Sequence, residues 1–115
     1  MADLRIGLVG CGRIAERGYV PAALRARGVV LAAVADRVPE RCASAAPGVP
    51  AFPDAASLLE AGLIDAIVLA TPVAGRLDDV ELACSAGVPA LVEKPPAQDA
   101  DEARALAELN PQPWV

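Results

Sequence analysis

The tripeptide Glu93-Lys94-Pro95 contains the only lysine of a chain whose other basic residues are nine arginines. An arginine side chain stays protonated at any working pH, whereas burial and neighbouring charges can tune a lysine amine until it exchanges a proton near neutrality. A single amine directly after a short apolar run therefore suggests proton transfer or substrate polarisation at Lys94. The alternatives are that one lysine falls here by chance and that Glu93 only pairs with a surface arginine.

The segment Gly10-Cys11-Gly12-Arg13-Ile14-Ala15 fits the G-x-G-x-x-G/A pattern, with a predicted strand before it and a predicted helix after it. Gly10 permits the tight turn, and Gly12 has no side chain that would keep a pyrophosphate from the backbone. Ala15 lets helix and strand pack closely, so the helix N-terminus can present N–H groups and its positive dipole to phosphates. We therefore predict a dinucleotide site and interpret Cys11 as a small packing residue, not a reactive thiol.

Asp36 ends the second predicted strand, 24 residues after Gly12. A carboxylate at this point can accept hydrogen bonds from the adenosine ribose, and it would repel the 2′-phosphate of NADP. The neighbouring Arg37 has two interpretations, because a guanidinium can pair with a 2′-phosphate or can simply be a solvated surface group. We expect NAD(P) as the cofactor, with NAD favoured over NADP.

Composition excludes several other classes of function. The net charge is -5 and no basic run is interleaved with aromatic residues, which argues against a nucleic-acid partner. The sequence has no histidine, so histidine-ligated metal sites and Ser-His or Cys-His catalysis are excluded within the chain, and we predict no metal site. Its three cysteines, Cys11, Cys42 and Cys84, are too few and too widely spaced for a disulfide framework or a CxxC site.

The sequence carries no pattern that directs a protein to a membrane. No apolar stretch approaches the roughly 20 residues that cross a bilayer, and no basic segment precedes a long apolar run at the N-terminus. We expect no membrane partner and a cytoplasmic location.

The elements that must position these residues alternate between short apolar strands and alanine-rich helices. We predict strands at 4–9, 29–35, 51–52, 65–70 and 89–92, and helices from about 13, at 39–45, at 55–61, at 76–86 and from 99. Pro21 predicts a kink or break in the first helix, and Trp114-Val115 resembles the start of a sixth strand. This alternation predicts an α/β fold, a Rossmann-type doubly wound parallel sheet with strand order 3-2-1-4-5.

With these motifs in order, the chain resembles the glucose-fructose oxidoreductase / inositol dehydrogenase / MocA family over its whole length. The resemblance rests on the glycine loop, Asp36, Thr71-Pro72 after the fourth strand, Ala86-Gly87 after a helix, and Glu93-Lys94-Pro95. It implies an NAD(P)-dependent oxidoreductase that transfers hydride to or from a hydroxyl or carbonyl of a sugar, cyclitol or nucleotide sugar.

The resemblance also implies roles for individual residues. Lys94 is the implied catalytic residue, which positions and polarises the reacting group of the substrate. The implied cofactor contacts are Gly10, Cys11, Gly12, Arg13 and Ile14 at the pyrophosphate, Asp36 and Arg37 at the adenosine ribose, Ala70, Thr71 and Pro72 along the cofactor, and Glu93 and Lys94 beside the nicotinamide. One departure is Arg76, which stands where the family often has a histidine, so any role of that imidazole is vacant.

The second departure concerns the substrate domain, which in the family provides most substrate contacts and has no counterpart in this sequence. We expect residues 1–115 to be the NAD(P)-binding Rossmann domain, truncated before that domain and inactive alone. The implied substrate is a small sugar-like molecule, and a homo-oligomer or a partner chain that supplies the missing domain is an open alternative. The competing hypothesis is a stand-alone, non-catalytic dinucleotide-binding or sensing module that acts through a partner.

Overall fold

The computed structural model describes residues 2–115 and contains five strands. They are β1 (Leu4–Val9), β2 (Val29–Ala35), β3 (Ala51–Phe52), β4 (Ala66–Leu69) and β5 (Ala90–Val92). All pair in parallel, in the order β3-β2-β1-β4-β5. The chain therefore changes direction across the sheet between β1 and β4, where a doubly wound sheet has its ligand crevice. The predicted fold class and strand order are confirmed.

The helices lie where the apolar periodicity predicts them. A π-helical turn, Ala15–Tyr19, runs directly into α1, Val20–Arg25. The remaining helices are α2 (Pro39–Ala45), α3 (Ala55–Glu60), α4 (Arg76–Ser85) and α5 (Ala100–Ala107).

The irregularity in the first helix lies directly before Pro21. The Val20 N–H bonds to the carbonyl of Ala15, five residues back, which is the π-helical pattern. Proline has no N–H and its ring crowds the carbonyl four residues earlier, so a wider turn at this point accommodates it. The helix continues to Arg25 with an altered hydrogen-bond pattern, so Pro21 changes the helix without ending it.

Two apolar clusters cover the two faces of the sheet. One packs α3, α4 and α5 on the sheet and includes Leu58, Ile67, Leu69, Val80 and Leu106. The other packs the first helix and α2 on the opposite face and includes Leu8, Val20, Val34 and Cys42. A parallel sheet needs cover on both faces, and these helices provide it.

The predicted sixth strand is reduced to one parallel bridge, between Leu91 and Trp114. The Trp114 N–H donates to the carbonyl of Ala90 at 2.8 Å, and the Trp114 carbonyl accepts from Val92 N–H at 2.7 Å. Trp114 thus takes the place beside β5 that a sixth strand would occupy.

Within residues 2–115, none of the helices combines the length and the apolar character that crossing a bilayer requires.

Candidate functional site

A cavity of about 510 Å³ lies where β1, β2 and β4 end. Parallel strands bring their carboxyl ends to one edge of the sheet, so the loops that follow them meet there. The predicted cofactor residues in its lining are Gly10, Gly12, Asp36, Arg37, Ala70, Thr71 and Pro72. Seven of the residues assigned to the pyrophosphate, the ribose and the length of the cofactor therefore meet around a single cavity.

The absence of a side chain at Gly10 and at Gly12 has a different structural reason at each position. Gly10 has φ +98°, and a Cβ added there would lie 2.7 Å from the carbonyl oxygen of Ala70. Gly10 is therefore needed for the close approach of the β1 and β4 ends. A Cβ added at Gly12 would meet no atom of residues 2–115 within 4 Å. The fold leaves open space at Gly12, which is the feature that a dinucleotide phosphate needs at this position.

The Asp36 carboxylate is fixed at the edge of this cavity by backbone donors. One oxygen accepts from Cys11 N–H at 2.9 Å and the other from Val38 N–H at 2.9 Å. The guanidinium of Arg41, which sequence reasoning missed, lies 3.9 Å from the same carboxylate. A carboxylate oxygen can accept more than one hydrogen bond, so Asp36 retains the capacity to bind ribose hydroxyls. Asp36, the glycine loop and the open space at Gly12 fit a dinucleotide.

Cys11 takes part in this arrangement through its backbone, while its thiol faces the core. The Cys11 sulfur lies 3.6 Å from that of Cys42, and both thiols are free and buried. Burial, together with the hydrogen bond to Cys42, raises the pKa of the Cys11 thiol to about 12. A protonated, buried thiol is a packing group, in agreement with the interpretation from sequence.

Arg76 is buried and joins the segment after β4 to the segment after β5. Its guanidinium donates to the carbonyl oxygens of Thr71, Glu93 and Pro95, the last at 3.0 Å. Burial lowers the pKa of Arg76, and the negative charge of Glu93 opposes that shift. Among the residues described, the Arg76 Nε has no hydrogen-bond partner.

The sequence alone indicates Arg76 only as a departure from the histidine that the family often has at this position. A sequence signal was present, because helical spacing puts Arg76 on one face with the apolar residues Val80 and Ala83, and the structure buries both. An arginine at a core-facing position needs acceptors, and exposed loop carbonyls are the acceptors that the strand ends provide.

Tyr19 links the helix after the glycine loop to the segment after β5. Its hydroxyl donates to the Glu93 carboxylate. Burial first, and then this hydrogen bond, raise the pKa of Tyr19 to about 12. The same hydrogen bond lowers the pKa of Glu93, so that carboxylate is ionised at neutral pH. Tyr19 is a second site residue that the sequence motifs do not indicate, although it is the only tyrosine and lies one turn past the glycine loop.

Five of the predicted site residues lie outside the lining of the cavity. They are Cys11, Arg13, Ile14, Glu93 and Lys94. Arg13 and Ile14 are exposed at the start of the first helix. Glu93 and Lys94 directly follow β5, at the same edge of the sheet, and the Lys94 side chain is exposed. Lys94 therefore lies at the carboxyl edge of the sheet and outside the cavity lining.

Comparison with known proteins places this arrangement among dinucleotide-dependent enzymes. The family model described as "Oxidoreductase family, NAD-binding Rossmann fold" matches residues 4–112. The chain is 37% identical over 110 residues to the rhizopine catabolism protein MocA of Rhizobium meliloti, covering 95% of this chain and 34% of that protein. It is 41% identical over 97 residues to galactose 1-dehydrogenase of Pseudomonas fluorescens, covering 84% of this chain and 30% of that protein.

A solved structure supports the same placement. The WlbA dehydrogenase of Bordetella pertussis, in complex with NADH and UDP-GlcNAcA, superposes with a TM-score of 0.82 at 32% identity. The match covers 90% of this chain and 31% of that one. The chain spans about a third of the length of the relatives it matches.

Proposed function

The chain belongs to the Gfo/Idh/MocA oxidoreductase family, and from that premise we propose that it is the cofactor-binding unit of an enzyme that moves hydride to or from a sugar, cyclitol or nucleotide sugar. The observation that carries the proposal is one cavity lined by Gly12, Asp36 and Thr71 at the carboxyl edge of the sheet. Galactose 1-dehydrogenase among the relatives, and the nucleotide sugar in the WlbA complex, support the substrate class.

The residues of the glycine loop hold the pyrophosphate in this proposal. Gly12 leaves the space, and the start of the helix, including Arg13 and Ile14, directs N–H groups and positive dipole toward the phosphates. Asp36 accepts from the ribose hydroxyls, and Ala70 to Pro72 lie along the cofactor at the end of β4. When bound, the nicotinamide ring supplies the site that accepts or donates hydride.

We propose that NAD is preferred over NADP. The Asp36 carboxylate is held on both oxygens by backbone N–H groups, so it cannot turn away from a 2′-phosphate without losing them. Arg37 and Arg41 also line the cavity and would favour that phosphate. Dissociation constants measured for NAD and NADP decide between the effect of the carboxylate and that of the two arginines. Tighter binding of NADP than of NAD would contradict the proposed preference.

Lys94 is the proposed catalytic residue, with Glu93 beside the nicotinamide. Tyr19 holds the Glu93 carboxylate and Arg76 holds the Glu93 carbonyl, so the backbone from which Lys94 projects is tied at two points. The exposed amine can then reach a substrate hydroxyl or carbonyl from the sheet edge and polarise it. Replacing Lys94 with arginine should keep cofactor binding and remove most turnover in the protein that carries the substrate domain.

We propose that the substrate contacts come from a second domain or from a partner chain. The support is that the chain covers 34% of MocA and 30% of galactose 1-dehydrogenase, and that Lys94 faces open space. Residues 1–115 would then bind the cofactor without turnover.

A direct titration tests the proposed function. The chain is mixed with NAD and, separately, with NADP, and binding is followed by calorimetry. We expect saturable one-to-one binding. No binding of either cofactor at millimolar concentration would overturn the proposal, and ATP serves as the control for binding of any adenine nucleotide.

A further inference from the structure

The cavity extends beyond the residues assigned to phosphate and ribose. Apart from Val9 and Arg41, its remaining lining comes from the starts of α3 and α4: Pro53, Asp54, Ala55, Ala74 and Asp79. This inference rests on the proposed function: with the pyrophosphate at the glycine loop and the ribose at Asp36, the base attached to that ribose is the part of the dinucleotide left to contact this wall. The wall is mostly apolar, which suits the faces of a purine, and it carries two carboxyl groups.

The two carboxyl groups differ in what already binds them. Asp54 caps α3, and its Oδ1 accepts from Ser57 N–H at 2.8 Å. Asp79 is half-buried, and burial first, followed by the charges of Asp78 and Asp54, raises its pKa. No hydrogen bond from the described part of the chain is among the causes of that shift. Asp79 is therefore a partly desolvated acceptor on the cavity wall, and no donor from residues 2–115 bonds to its carboxyl group.

An acidic residue in the first turn of a helix also has an ordinary explanation, since it interacts favourably with the helix dipole. That explanation accounts for Asp78 and Asp79 equally. It does not account for the difference between them, because Asp78 is exposed and outside the cavity lining while Asp79 is in it.

We propose that Asp79 recognises the adenine base by accepting a hydrogen bond from its exocyclic 6-amino group. Adenine presents an N–H donor at this position, whereas hypoxanthine presents a carbonyl oxygen, which would face the carboxylate as a second acceptor. A polar group that is desolvated against an unmatched partner loses its hydrogen bond with water and gains none in return. Asp79 is thus a specificity residue for the base, and it takes no part in hydride transfer.

The experiment compares NAD with nicotinamide hypoxanthine dinucleotide, in which an oxo group replaces the 6-amino group and the neighbouring N1 carries a proton. We expect the wild-type chain to bind NAD at least about tenfold more tightly, the size of one hydrogen bond to a charged group. In Asp79→Ala the ratio of the two dissociation constants should fall to within about twofold of unity. Asp78→Ala is the matched control, which removes the same charge from the same helical turn and should keep the wild-type ratio.

Equal wild-type affinity for the two dinucleotides would overturn the inference, and so would a preference for NAD that survives in Asp79→Ala. If Asp78→Ala also lost the preference for NAD, that preference would come from net charge alone, and the inference would be overturned. Because each ratio compares two ligands on one protein, a change in stability of a variant cancels. Failure of the wild-type chain to bind either dinucleotide would contradict the proposed function itself, which separates the two failures.

Discussion

Gly10 and Gly12 lie two positions apart in one loop, yet the fold requires only the first. At Gly10 both the positive φ of +98° and the 2.7 Å approach to the Ala70 carbonyl exclude a side chain. We expect Gly10→Ala to lower the free energy of unfolding by roughly 1–3 kcal/mol. We expect Gly12→Ala to change it by less than about 0.5 kcal/mol while weakening NAD binding about tenfold or more.

Urea unfolding and NAD titration of the two variants check this pair. A Gly12→Ala protein as destabilised as Gly10→Ala would contradict the structural reason given for Gly12. Unchanged NAD affinity in Gly12→Ala would contradict its proposed contact with the pyrophosphate.

The pKa of Tyr19 predicts a pH dependence of stability, and the absorbance of this one tyrosine can follow it. Its pKa in the folded chain is about 12, above the ordinary value of 10.0. A raised folded-state pKa contributes stability that is complete below pH 10 and is lost as the pH rises through 12. Because Tyr19 is the only tyrosine, the ultraviolet absorbance of tyrosinate measures this titration directly.

The Tyr19–Glu93 pair also stabilises the fold through Glu93, with the opposite dependence on pH. The pKa of Glu93 is lowered from 4.5 by the Tyr19 hydroxyl, so its contribution is present above that pH and is lost as the pH falls below it. In Tyr19→Phe we expect both pH-dependent losses of unfolding free energy to shrink. A wild-type tyrosinate transition near pH 10, or an unchanged pH profile in the phenylalanine variant, would be the contrary result.

At the scale of elements, Arg76 is the polar tie between the loops after β4 and β5. Replacing it with methionine leaves the carbonyls of Thr71, Glu93 and Pro95 without their donor, and we expect a loss of roughly 2–5 kcal/mol in the free energy of unfolding. Arg104→Met is the control, because the exposed Arg104–Asp101 pair should contribute under about 1 kcal/mol. Equal effects of the two substitutions in urea unfolding would refute the role of Arg76.

The strands and caps were accessible to sequence reasoning because their signals are local. The run from Leu4 to Val9 and the glycine loop after it determine where β1 ends, and Asp99 with Glu102 predicts the start of α5. The Asp99 carboxylate does accept from Glu102 N–H at 2.9 Å. The Glu102 carboxylate, however, accepts from Gln98 N–H, one residue before the partner that a capping box predicts.

The ties made by Arg76 and Tyr19 could not be predicted in the same way. Arg76 lies 17 residues from Glu93 in the sequence, and Tyr19 lies 74 residues from it. Their partners depend on how loops from different strands pack at the sheet edge, which no local pattern encodes. The positions of Gly12 and Asp36 at one cavity were predictable because the glycine loop is a local motif in a fixed context.

At the scale of the whole molecule, the sheet edge and the two apolar clusters form one compact body with a radius of gyration of 13.2 Å. In the proposed function, a cofactor at that edge contacts residues from the ends of β1, β2 and β4, so we expect binding and folding to be coupled. At a cofactor concentration 100 times its dissociation constant, the free energy of unfolding should rise by about 2.7 kcal/mol.

Thermal or urea unfolding with and without NAD measures this coupling. We expect the increase to grow with the logarithm of NAD concentration, and to be smaller with NADP at equal concentration. NAD at such concentrations leaving the transition unchanged would contradict binding to the folded chain.

Arg76 reaches the loops after β4 and β5 through carbonyl oxygens, which every amino acid carries. The side chains at positions 71 and 93 can therefore be exchanged without removing the acceptors that Arg76 needs. Substitutions at these two positions should therefore leave the backbone geometry of this sheet edge in place.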